Sequence, residues 1–215
     1  MPNILIAEDH TLIRMGIKML VKEVLGLSWL VDFAADGREV KQKLSEKSYE
    51  MLITEINLPN TNGLDLISSV LSALPTCKIL ILSLNNESVF AHRFLKIGAL
   101  GYIQKCNSDE ELKRAIYHIS MGKRYFTANQ AQEFSTAFLS NNILNPFEKL
   151  SEREFEVALL LLNGKSVLEI SNSLSICVST VSTYRGRIFE KLRVNNLIDF
   201  YNLALKNQVI VNHYN

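Results

Sequence analysis

Cysteine is scarce in this chain of 215 residues, and what there is does not pair. Cys77, Cys106 and Cys177 are odd in number and form no CxxC motif, which excludes a disulfide framework and a zinc site and predicts free thiols in a reducing compartment. Long apolar runs are missing too. The longest unbroken aliphatic stretch, Val157 to Leu162, is far short of the ~20 residues a membrane-spanning helix needs. Met1 leads directly into Ile4-Leu5-Ile6 with no basic segment, apolar core or small-residue cleavage site. The expectation is a cytoplasmic protein with no membrane partner. No internal repeat or low-complexity tract is visible, no glycine-rich phosphate loop follows the first apolar run, and the four histidines (His10, His92, His118, His213) form no Ser/His or Cys/His pair. An enzyme is not expected.

Charge of one sign is lacking as well, since the net charge is +1. Its distribution is less even. Residues 149–215 hold 8 Lys and Arg against 6 Asp and Glu, while the remainder holds 15 against 16. Arg185, Arg187, Lys191 and Arg193 crowd together with only Glu190 opposing them, a local basic stripe of the sort nucleic acid attracts and that a solvated helix face also shows. Hydrophobic residues at 47% and charged residues at 21% are ordinary for a globular chain, and the length allows one large domain or two small ones at roughly 150 residues per domain.

Two rhythms divide the chain. Over residues 1–122 short apolar runs (Ile4–Ala7, Trp29–Ala34, Met51–Thr54, Lys78–Leu82, Gly101–Gln104) alternate with amphipathic stretches near 11–25, 37–46, 63–74, 87–97 and 108–121. Continuous apolar runs mark strands buried on both faces, so the pattern predicts five βα units around a doubly wound parallel sheet. Residues 123–148 read as a linker: Thr127 and Gln130 have capping-box spacing and open a helix to about Leu139, and Asn141-Asn142 and Asn145-Pro146 follow. Residues 149–215 read as four helices. Ser151 with Glu154 and Ser166 with Glu169 form two more capping boxes, Asn163-Gly164 is a stop, and long helices cover roughly 178–192 and 196–207.

In a parallel sheet the ligand site lies beyond the carboxyl ends of the strands. There the sequence places Glu8-Asp9, Thr54-Glu55, Ser83 and Lys105. Three carboxylates brought together require a cation, either Lys105 or a hard metal such as Mg²⁺.

The segments Ile4–His10 (ILIAEDH), Glu55–Gly63 (EINLPNTNG), the Ser83 position and Gly98–Lys105 (GALGYIQK) resemble the receiver domain of two-component response regulators, in order and over all of residues 1–122. The resemblance implies a five-stranded flavodoxin-like fold. It also implies Mg²⁺ held by Glu8, Asp9 and the residue at 55, Ser83 and Lys105 holding a phosphoryl group, and Tyr102 as the aromatic switch. The family phosphorylates an aspartate four residues before Pro59, and this chain has Glu55 there. One extra methylene carries the carboxylate ~1.5 Å further out, toward Ser83 and Lys105, where it can partly stand in for a phosphoryl group. It brings one charge and two oxygens against up to two charges and three oxygens. The expectation is a receiver that is not phosphorylated, is served by no cognate histidine kinase and is biased toward its active state. An inert scaffold and a receiver controlled by another ligand are the competing readings.

Residues 150–204 resemble the helix-turn-helix of LuxR/NarL-type transcription factors. The marks are Leu150-Ser151, Arg153-Glu154, Glu156-Val157, Gly164, Glu169-Ile170, Leu174, Thr180 to Arg185 and Lys191-Leu192. The second helix of such a motif enters the major groove, so Thr180, Ser182, Thr183, Tyr184 and Arg187 are expected at bases, with Thr180, Arg185 and Lys191 at phosphates. Val157, Leu160, Leu161, Ile170, Leu174, Val181, Ile188 and Leu192 are expected in the core. The family often has lysine at the position of Ser182 and a polar or basic residue at that of Gly186. It has Asn-Lys at Val167-Leu168, and at Cys177 a serine cap whose loss would move the helix start toward Ser179. Fewer cations imply weaker, less salt-sensitive binding, hence a homodimer on double-stranded DNA; the resemblance implies Leu197, Phe200, Tyr201 and Ala204 as its contact, and packing of that stripe against the receiver is the alternative. The overall expectation is a DNA-binding transcriptional regulator. The alternative is a protein-interaction module with weak DNA affinity, and a metal-dependent phosphohydrolase built on the acidic residues and Lys105 is the enzyme reading set aside.

Overall fold

The computed structural model describes residues 1–140 and 145–210; Asn141-Asn142 and His213 lie outside them. The chain divides into two compact units, Met1–Gln132 and Glu133–Asn215.

The first unit is a parallel sheet of β1 (Asn3–Ala7), β2 (Leu30–Ala34), β3 (Met51–Thr54), β4 (Lys78–Ser83) and β5 (Gly101–Gln104), in the order β2-β1-β3-β4-β5. The strands alternate with α1 (Thr11–Leu25), α2 (Gly37–Glu46), α3 (Gly63–Ala73), α4 (Glu87–Lys96) and α5 (Asp109–Ser120). Ile4, Ile6, Met51, Ile53, Leu80, Leu82 and Ile103 bury one face of the sheet against Ile17 and Val21 of α1 and Ala115, Ile116 and Ile119 of α5. The edge strand β2 is less covered. Polar caps fix where the helices start: the side chains of Asp36, Asn62, Asn86 and Ser108 each accept a backbone N–H of the first turn. Gly63 is demanded by a close approach, because a Cβ there would lie 2.8 Å from the Ile56 carbonyl oxygen. That contact tightens the loop that follows Glu55, which turns through Asn60 in the left-handed region at φ 51°.

Helix α6 (Ala128–Ser140) opens at the Thr127–Gln130 pair. In the second unit a short 3-10 helix, Pro146–Lys149, is capped by Asn145. It precedes α7 (Glu152–Leu162), α8 (Val167–Leu174), α9 (Val178–Leu192) and α10 (Leu197–Lys206). Both capping boxes form reciprocally, Ser151 with Glu154 and Ser166 with Glu169. Val157, Ile170, Val181, Ile188 and Leu192 are buried as expected, whereas Leu160, Leu161 and Leu174 are only half-buried. Much of this small core is aromatic: Phe147, Phe155 and Phe200 are wholly buried, and Phe200 stacks at 6.0 Å from Phe147 and 5.6 Å from Phe189. No helix among the described residues is long and apolar enough to cross a membrane.

Candidate phosphoryl pocket and DNA-facing helix

The parallel register carries Glu8, Glu55, Ser83 and Lys105 to one edge of the sheet, because β1, β3, β4 and β5 all end there. The four residues meet. Glu55 Oε1 accepts hydrogen bonds from the Ser83 hydroxyl at 2.5 Å and from the backbone N–H groups of Ile56 at 2.7 Å and Asn57 at 3.1 Å. Its Oε2 lies 2.8 Å from Lys105 Nζ, which reaches Glu8 Oε2 at 2.5 Å. Lys105 thus bridges two buried carboxylates. Burial pulls its ammonium toward neutrality, but Glu55 and Glu8 outweigh burial and hold the pKa above the usual 10.5.

The acidic pair is completed by a residue the sequence reading had not assigned to it. His10 donates its backbone N–H to Glu8 Oε1 at 3.0 Å, and its Nδ1 sits 3.0 Å from both Glu8 Oε1 and Asp9 Oδ1. Glu8 raises the His10 pKa and Asp9 adds to the effect. Glu8, Asp9 and His10 each bring one potential ligand atom to within 4.8 Å of the others. Of the expected Mg²⁺ set of Glu8, Asp9 and Glu55, only the first two lie in this grouping: the longer side chain at 55 turns to Ser83 and Lys105, and both Glu8 oxygens are engaged by His10 and Lys105. An octahedral oxygen site for Mg²⁺ at ~2.0–2.1 Å does not fit this arrangement.

Tyr102 is completely buried beside Phe94, with ring centroids 6.1 Å apart. Its hydroxyl donates to the Asn85 carbonyl at 3.0 Å, and the Asn85 N–H donates to Ser83 Oγ at 3.3 Å. Burial pushes the Tyr102 phenol far above its ordinary range, so it stays protonated and a donor.

In the second unit α9 begins at Val178, not nearer Ser179. Cys177 occupies the N-cap in extended conformation without a side-chain bond, and its carbonyl receives Thr180 and Val181 N–H instead. The solvent-exposed residues of α9 are Val178, Ser179, Ser182, Thr183, Gly186, Arg187, Glu190 and Lys191. Ser182 and Thr183 donate back to the carbonyls of Val178 and Ser179, at 3.1 and 2.9 Å. Thr180 and Tyr184 are half-buried, and Arg185 lies over the Phe189 ring, 5.4 Å from its centroid. Lys191, expected at a phosphate, is exposed and its ammonium pairs with buried Glu154 at 2.6 Å, which ties α9 to α7. On α10 the expected dimer stripe is corrected. Phe200 and Ala204 are interior, and the exposed apolar side chains are Leu197, Tyr201 and Ile198, the last 73% exposed. A strict helical stripe could not show this, because Phe200 is drawn inward by Phe147 and Phe189.

Two family models match the chain: "Response regulator receiver domain" over residues 4–117 and "Bacterial regulatory proteins, luxR family" over residues 148–204. The chain is 31% identical to response regulator GacA of Pseudomonas aeruginosa over 211 residues, 98% of each chain. It is 28% identical to response regulator UvrY of Escherichia coli over 207 residues, 96% of this chain and 94% of that one. Among solved structures, RcsB from Salmonella enterica serovar Typhimurium, bound to promoter rprA in the presence of phosphomimetic BeF3-, has a TM-score of 0.74 at 24% identity, covering 94% of this chain and 98% of that one.

Proposed function

The chain belongs to the response regulators that join a receiver domain to a luxR-family DNA-binding domain, and from that membership we propose a transcription factor whose receiver works without phosphorylation, Glu55 standing in for the phosphorylated aspartate. The observation that carries the reading is the occupancy of the pocket. Glu55 takes the Ser83 hydroxyl, the Lys105 ammonium and the two backbone donors, the groups that would otherwise cradle a phosphoryl group. Ser83 is drawn to the carboxylate and Tyr102 is held inside, which is the active-like arrangement in this proposal.

The protein binds double-stranded DNA through α9 in the cytoplasm, with Ser182, Thr183 and Arg187 toward the bases and Thr180, Tyr184 and Arg185 alongside. A homodimer supplies two such helices, and exposed Leu197, Ile198 and Tyr201 favour α10 as its contact. The pairing of Lys191 with Glu154, which partly neutralises a cation of α9, favours a second reading, a protein-interaction module with weak DNA affinity.

The test is binding of the purified full chain to its best genomic site, before and after incubation with acetyl phosphate and Mg²⁺. The expected outcome is no acid-labile phosphoryl on Glu55, a discrete site bound by the dimer, and the same Kd in both samples. Labelling of Glu55, or a Kd that tightens with the donor, overturns the receiver reading. Diffuse binding erased by salt moves the function to the interaction module.

A further inference from the structure

The capping box that opens α6 does more than start a helix. Gln130 Oε1 accepts the Thr127 N–H at 3.3 Å and Thr127 Oγ1 accepts the Gln130 N–H at 3.2 Å, so the first turn is closed on itself. The remaining hydrogen-bonding capacity of both side chains turns back onto the receiver. Gln130 Nε2 donates to the backbone carbonyl of Tyr102 at 2.6 Å and to Glu87 Oε2 at 2.9 Å, and Thr127 Oγ1 donates to Glu87 Oε1 at 3.1 Å. Thr127, Gln130, Glu87 and Tyr102 are all buried. Glu87 is the first residue of α4 and Tyr102 lies in β5, so one glutamine side chain clasps two elements and the linker helix at once.

From Tyr102 the bonds run on to the pocket through the Asn85 carbonyl, the Asn85 N–H, Ser83 Oγ and Glu55 Oε1. Hydrogen bonds, joined through the covalent frames of Tyr102 and Asn85, thus connect Glu55 to the first turn of the helix that leads to the DNA-binding unit. Buried polar groups are costly to leave unmatched, which gives the two ends of this path a reason to move together. We propose that Gln130 and Thr127 form a latch through which the Glu55–Ser83 pocket and the start of α6 sense one another. Gln130 is the positioning residue of this device and Glu87 its anchor. The coupling holds whichever way Glu55 biases DNA binding, and being a free energy it is reciprocal.

Amide hydrogen exchange on the full chain tests it. Ser83→Ala cuts the path at the pocket end. The expected result is exchange about fivefold to tenfold faster in residues 128–132, the loss of protection that one broken hydrogen bond allows, with residues 37–46 of α2 unchanged as the internal control. Gln130→Ala cuts the other end and should speed exchange in residues 84–90 and 102–106. Unchanged rates in 128–132 for Ser83→Ala, with changes confined to residues around 83–86, overturn the latch and leave a local cap. Should Gln130→Ala loosen 37–46 as well, Thr127→Val decides, since it removes only the hydroxyl. Faster exchange limited to 84–90 supports the latch, and no change there overturns it.

Discussion

At position 55 the difference between aspartate and glutamate is one methylene, and here that methylene closes a circuit. The carboxylate reaches Ser83 and Lys105 directly, so Glu55→Asp should retract from both and leave a pocket able to accept a phosphoryl group. The expected outcome is weaker DNA binding by the untreated variant, restored by acetyl phosphate, as read by titration on the native site; unchanged affinity with and without donor would make the receiver an inert scaffold. A second ion pair makes a pH prediction. Burial pushes the Glu154 carboxyl up, but Lys191 and the backbone and hydroxyl of Ser151 outweigh it and hold it below the usual 4.5. A depressed carboxyl stabilises the fold above its unfolded pKa, and that stabilisation disappears as pH falls through the folded value. Lys191 is 40% exposed, which screens the pair and limits its worth to about 1 kcal/mol. In calorimetry of the full chain, Glu154→Gln should lower the melting temperature of the second unit at pH 6, and the gap to wild type should close below about pH 4.5.

Among the elements, α9 is the one whose sequence sits least easily with its task. Gly186 lies inside the helix with nothing within 4 Å of a built Cβ, so it serves no close approach within the unit. Gly186→Ala should stabilise the helix by about 1 kcal/mol, read as a rise in denaturation midpoint. Gly186→Lys would add a cation to the exposed surface of α9 and should steepen the salt dependence of DNA binding by roughly one ion. The helix itself was legible in the sequence. Its span, the two capping boxes before it and all five strand runs are local signals of periodicity and end chemistry, and the structure has them within about a residue or two. The pocket was legible because a parallel sheet brings strand ends together whatever lies between. Contacts that depend on long-range partners were not. Nothing in the sequence pairs Lys191 with Glu154 until α7 places the carboxylate beside it, and Phe200 reads as a surface stripe until Phe147 and Phe189 surround it. His10 stood in the sequence next to Glu8-Asp9, and that adjacency was the signal for its place in the cluster.

At the scale of the whole molecule, a receiver biased by Glu55 and a DNA-facing α9 would set affinity and ionic character in different units, and that separation is measurable. The slope of log K against log salt counts the phosphates neutralised, at about 0.9 per contact. The phosphate-facing cation proposed above, Arg185, stands on α9. The pocket stands in the first unit and contributes no cation to DNA, since Lys105 is enclosed by Glu8 and Glu55. A change at Glu55 can therefore alter only the fraction of molecules competent to bind, which scales the apparent Kd without touching the number of ions released. Glu55→Asp should displace the log K line in parallel, whereas Arg185→Ala should flatten its slope by about one. A salt series on wild type and both variants, on one operator, checks this. Were Glu55→Asp to change the slope itself, the pocket would be reshaping the DNA interface and would no longer be acting only on the population of a fixed one.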